Sequence, residues 1–212
     1  MNKIKIPREI LLPAVIILIL ILIFVFALGI FVLAGVGKVV QTTDLVDYGV
    51  ISGNYDNDAP AKFIFSFFPE EISDDFSNVS YRYTAQKGDT HACEIWLEFD
   101  IEDKERYQDF IQAYSGTEWT GVFQYDTDYW DYTVSNDFYL TNPKDDKPGN
   151  LHIEYAQIGK VLFCDDTQHI IFYALCIFDG GYASTQIFGD FFTRFGIDPV
   201  EYEASAALQS ER

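Results

Sequence analysis

The chain has 212 residues, 49% hydrophobic and 22% charged, with 33 acids against 14 bases and a formal charge of −19. That average hides two unlike segments: residues 10–37 carry no charged or polar side chain, while residues 39–212 hold 32 of the 33 acids. The split excludes a simple cytosolic globule and a polytopic channel, and the acidity excludes nucleic acid as a partner, because it repels phosphate.

Residues 1–9 form a basic flank with Lys3, Lys5 and Arg8. Residues 10–37 predict a transmembrane helix. At roughly 1.5 Å per residue the 28-residue run would be about 42 Å long, enough for a hydrocarbon core of about 30 Å. Lipid leaves the backbone no partner but itself, so even a β-branched run becomes helical there. Pro13 sits in the first turn, where its missing N–H costs little. Lys38 alone follows the run before Asp44 and Asp47, so the N-terminus belongs in the cytoplasm and the rest outside. Val32-Leu33-Ala34 resembles a signal cleavage site, but a secretory apolar region runs only about 7–15 residues. An uncleaved anchor is therefore expected.

Residues 38–60 read as a polar stalk with room for a first strand at Leu45–Ile51, and residues 61–212 as one α+β domain. Lys62–Phe68 predicts a buried strand ended by Pro69. Val79–Gln86 and His91–Asp100 flank Lys87-Gly88-Asp89-Thr90, a hairpin signal. In the second arm Cys93, Ile95, Leu97 and Phe99 alternate with Glu94, Trp96, Glu98 and Asp100, which predicts one core face and one wet face. A helix follows, capped by Asp100, with Tyr107, Phe110, Ile111 and Tyr114 as its apolar stripe and Gly116 as its stop. Further strands are expected at Trp119–Tyr125, Tyr129–Val134, Leu151–Gln157, Lys160–Cys164 and His169–Phe178, with an exposed loop at 142–150. A helix from about Ser184 would bury Ile187, Phe188, Phe191, Phe192 and Phe195 and stop at Gly196. Asp198-Pro199 starts a last helix. The expected class is α+β: a two-layer domain of mostly antiparallel sheet with two or three helices.

Chemical signals are thin. Cys93, Cys164 and Cys176 form no CxxC, which excludes thioredoxin-like chemistry and a zinc ribbon. A bridge from Cys93 to either other cysteine stays open, beside the reading as buried thiols. His152 and Glu154 share a strand face, but no further ligands stand at a recognisable spacing. No GxSxG, P-loop or Rossmann glycine pattern occurs. Asp126, Asp128 and Asp131 make the most Ca²⁺-like stretch, lacking the glycine and terminal glutamate of an EF-hand. Trp119, Phe123, Tyr125, Tyr129, Trp130 and Tyr132 lie among acids and form a candidate partner surface, with ordinary core and cross-strand pairing as the plainer reading.

Beyond the run, ten bases against 32 acids leave a charge of −22 on residues 39–212. The expectation is a non-enzymatic, single-pass envelope protein whose outer domain binds a basic protein or peptide, because opposite fields speed encounter. The alternative is an envelope hydrolase of peptide or glycan working through Glu94, Glu98 or Glu154.

Overall fold

The computed structural model describes residues 16–26, 29, 38–48, 63–64, 66–87, 91–115, 128–141, 152–178, 183–184 and 188–210. The chain forms two compact units, Met1–Lys38 and Val39–Arg212. In the first, residues 16–26 are helical, and every side chain is apolar and exposed, from 50% at Ile16 to 71% at Phe26. Among the described residues no helix is long and apolar enough to cross a membrane. Most of the remaining run expected to span lies outside them, as does Pro13.

The second unit is α+β. Its strands are β1 (Lys38–Thr42), β2 (Ser77–Lys87), β3 (His91–Asp100), β4 (Trp130–Thr141), β5 (His152–Cys164), β6 (His169–Phe178) and the two-residue β7 (Ala183–Ser184). They form one sheet in the order β1-β2-β3-β6-β5-β4, with β7 pairing β5. The pairs β2/β3, β3/β6, β6/β5 and β5/β4 are all antiparallel. The helices are α1 (Lys104–Ser115), α2 (Asp190–Arg194) and α3 (Pro199–Ser210).

The sheet is covered on both faces, which corrects the two-layer expectation. On one face Trp96, Tyr173, Leu175, Ile158 and Leu162 pack against Phe191, Phe192 and Phe195 of α2 and its end, and against Tyr202 of α3. On the other, Ile95, Leu97, Phe99, Phe163 and Phe172 pack against Tyr107 and Phe110 of α1 and against Ile64, Phe67 and Phe68. The face of β3 expected to be wet is therefore largely buried: Glu94 is 1% exposed and Trp96 3%. Alternation reports that two faces differ in polarity. It does not report that the polar one meets water.

Several boundaries move for local reasons. Among the described residues the first strand is β1, and residues 45–48 of the expected strand Leu45–Ile51 are not extended, because Asp44 accepts the Val46 N–H at 3.0 Å and starts a helical turn over 46–48. The described residues of Lys62–Phe68 form no strand: residues 63–64 are helical, and the Phe67 and Phe68 N–H groups both donate back to Ile64. A short apolar run fits either state, and packing decides. Helix α1 is capped by Asp103, whose carboxylate accepts the Arg106 N–H at 2.8 Å, rather than by Asp100. The separate strands expected at Leu151–Gln157 and Lys160–Cys164 are one strand, β5. Ser184 begins no helix but belongs to β7. The stop at Gly196 (φ 64°) and the Asp198 cap, on the Val200 N–H at 2.8 Å, stand as expected. Trp119–Tyr125, Gly116 and the 142–150 loop lie outside the described residues.

Gly159 explains the continuity of β5. A Cβ there would stand 2.8 Å from Phe63 Cζ and 3.0 Å from Phe67 Cζ, so the bare backbone lets the 63–68 segment close over the sheet. Half-buried Phe63 can give way, whereas Phe67 is 3% exposed. Gly159→Ala should cost about 1–3 kcal/mol by overpacking. Thermal unfolding of the full chain in detergent, followed by circular dichroism, checks this; an unchanged midpoint would contradict the packing.

The register also bears on the cysteines. Cys93 stands directly opposite Cys176 on the same face, while Cys164 pairs with His169. The Ile101 N–H donates to Gln168 across the same ladder. Antiparallel alternation then makes Cys93–Cys176 a hydrogen-bonded pair, whose Cβ atoms stand about 5.5 Å apart against the roughly 3.8 Å a disulfide prefers. Closing that bond would strain the middle of the sheet. All three cysteines, buried and outside any disulfide, should titrate as thiols in denaturant without reductant. Finding only one would overturn this.

Candidate functional site

Among the described residues a groove of about 590 Å³ lies beside α2. Thr43 and Leu45 form one wall, Ser80 and Arg82 of β2 with Trp96 and Glu98 of β3 line its sheet side, and Asp190, Thr193 and Arg194 of α2 close it. The register creates the floor. Arg82 stands opposite Trp96, so both point to the face that α2 covers. Arg82 and Arg194 both lie over the Trp96 ring, at 5.6 and 5.2 Å from its centroid.

A ladder of charges runs along this row of β3. Arg82 reaches Asp190 at 2.5 Å and Glu94 at 3.5 Å. Arg194 donates two bonds to Glu98, at 2.6 and 2.7 Å. His169, opposite Asp100, meets Asp100 at 2.5 Å through Nδ1 and Glu98 at 3.3 Å through Nε2. Burial would raise the Glu98 carboxyl, but hydrogen bonds from His169 and Arg194 outweigh it and hold it at about 2. Burial likewise opposes the His169 charge, and the two carboxylates still raise its pKa above the ordinary value. Glu94 goes the other way: burial pushes it up to about 7 against the pull of Arg82.

Glu94 and Glu98 thus have widely separated acidities, as in an acid–base pair, but their geometry does not make one. Four residues apart on one strand, their Cα atoms are roughly 13 Å apart, and each carboxyl is turned to partners of its own rather than to a shared gap. Glu94 is closed in beneath Arg82 and Tyr173, and Glu98 is held by Arg194 and His169. Glu154 is exposed on β5, in a different strand.

The other sequence candidates are dispersed. Asp131 is fully buried and pairs with the equally buried Lys160 at 3.1 Å, while Thr133 accepts from the same ammonium at 2.8 Å. Asp128 is exposed, and Asp126 lies outside the described residues. Among the described residues no cluster of His, Cys, Asp and Glu could hold a metal ion. Of the aromatic group, Trp119, Phe123 and Tyr125 lie outside the described residues. Tyr129 sets its ring edge-on to Phe195 and His169, while Trp130 and Tyr132 pack on Phe163 toward the opposite face. The structure does not gather these three on one surface. Sequence reasoning missed Arg82, Asp190 and Arg194. The available signal was scarcity: with ten bases in the acidic segment, an arginine on a strand facing acids is a ready ion-pair partner.

No protein-family model, curated protein or solved structure matches the chain.

Glu94 makes stability depend on pH. Arg82 on β2, Trp96 beside it, Tyr173 on β6 and Asp190 on α2 face it. Its folded-state pKa is raised, so its contribution is complete below about 4.5 and is lost as pH rises through about 7. Glu94→Gln should remove that loss. Variant-minus-wild-type stability is expected to rise by about 3 kcal/mol from acid to mildly alkaline pH. Denaturant titrations across that range check it, and a pH-independent difference would contradict it.

Proposed function

We propose that the chain is a single-pass membrane protein, N-terminus inside, whose acidic outer domain binds a basic protein or peptide at the cell surface. The observation carrying this reading is the junction of two unlike segments: an apolar run with a basic flank, then a compact α+β unit of charge −22. The apolar, exposed side chains of helical residues 16–26 suit a lipid environment. The sign of the domain selects cationic partners and disfavours nucleic acid. The groove beside α2 supplies a concave, partly polar place for contact.

The topology has a direct test. The full chain, tagged at either end, should stay in the membrane pellet after alkaline carbonate. In intact cells, added protease should remove the C-terminal tag and spare the N-terminal one. Release by carbonate, or protection of the C-terminal tag, would overturn the reading. Loss of the N-terminal tag during export would show cleavage after Ala34 instead.

A further inference from the structure

We propose that the groove beside α2 receives a carboxylate carried by an otherwise basic peptide, with Arg82 as its receptor and Asp190 as the internal carboxylate it displaces. This rests on the preceding reading that the partner is basic, and adds the group by which it is held.

The two arginines of the groove are not equivalent. Arg194 is fully engaged: both terminal nitrogens bind Glu98, whose other contact is His169. It forms a fixed wall. Arg82 is held in place but incompletely used. Its guanidinium lies over Trp96, its side chain keeps 29% exposure, and among the described residues Nη1 alone has a close partner. Its Nε is buried with no acceptor among the described residues, and Glu94 stands 3.5 Å from Nη2. A guanidinium offers five donors in a fork that matches a carboxylate. The close partner is Asp190, 60% exposed at the start of a five-residue helix. An exposed pair of that kind contributes little and exchanges readily with another carboxylate.

Charge then settles what carries the carboxylate. An anion as a whole is repelled by a domain of −22. A cationic peptide is drawn in by the field, and its carboxylate can replace Asp190 on Arg82. The released Asp190 is then free to meet an ammonium of the same ligand. Thr43, Ser80 and Thr193 also line the groove, and about 590 Å³ suits a few residues of peptide. Glu94 adds a dependence on pH. Facing Arg82, Tyr173 and Asp190, it is neutral below about 7 and competes for Arg82 above it.

The test titrates the full chain in detergent, at low salt and pH 6, with three peptides. These are Ala-Lys-Lys-Ala with a free C-terminus, the same peptide amidated, and an amidated Ala-Lys-Lys-Glu whose only carboxylate is on the side chain. The free acid should bind about tenfold more tightly than its amide, the scale of one charge-assisted hydrogen bond. If the glutamate peptide matches the free acid, any carboxylate serves; if it matches the amide, the site takes chain ends. Arg82→Gln should abolish the difference. Asp190→Asn, which leaves Arg82 in place, should widen it. Raising the pH to 8 should narrow it in wild type but not in Glu94→Gln. Equal binding of acid and amide, or a difference that survives Arg82→Gln, would overturn the carboxylate inference alone. Failure of all three peptides to bind would overturn the basic-partner reading with it, while membrane topology is decided separately by the protease assay.

Discussion

The central strand β6 governs the rest of the domain. From Ile170 to Ile177 every side chain is fully buried, so both faces of the sheet must be roofed. One face alone would leave Ile171, Tyr173, Leu175 and Ile177, or else Ile170, Phe172, Ala174 and Cys176, open to water. At about 25 cal/mol per Å² of apolar surface, neither is tolerable in a domain of ordinary stability. The two covers differ in kind. One is the long helix α1 with the 63–68 segment, closing over Gly159; the other is the short α2 followed by α3.

Roofing both faces turns strand polarity into a problem of pairing. Lys160 lies opposite Tyr173 on β5, entirely buried, and its position is tenable because Asp131 and Thr133 on β4 meet its ammonium. Glu94 and Glu98 are buried to different depths beneath or beside α2, and each has its own arginine. Where the arginine and histidine contacts are close and numerous, as at Glu98, the carboxyl stays ionised. Where the arginine stands 3.5 Å away and burial is nearly complete, as at Glu94, it shifts toward the neutral form. One physical balance, desolvation against hydrogen-bonded charge, thus gives two opposite results on a single strand.

What was legible in the sequence follows the same division. Strands β3 and β6 match the expected His91–Asp100 and His169–Phe178, because their apolar patterns end at turn residues on both sides. The Gly196 stop and Asp198 cap were legible because each rests on local backbone chemistry. The wet face of β3 was misread because its cover, α2, comes ninety residues later. A pattern within one strand holds no information about what arrives from elsewhere. Gly159 lies between the two strands expected at Leu151–Gln157 and Lys160–Cys164, and glycine more often interrupts a strand than admits a neighbour. The groove was illegible for a further reason. Arg82, Trp96, Asp190 and Arg194 meet only through strand register and a helix crossing, neither of which leaves a spacing to read.

The acidity also acquires a spatial meaning. Of the domain's few bases, Arg82, Arg106, Lys160 and Arg194 all stand in ion pairs with carboxylates of the domain itself. Pairs of that kind cancel nearly all of their field within a few ångströms, whereas unmatched acids project theirs about a Debye length into solution. What an approaching molecule meets first is therefore the unmatched carboxylate surplus. Closer in, beside α2, it meets Arg82, whose close partner is the exposed Asp190. A partner selected at long range for positive charge would thus be held at short range by a negative group. Both requirements are met together by a basic peptide that carries a carboxylate.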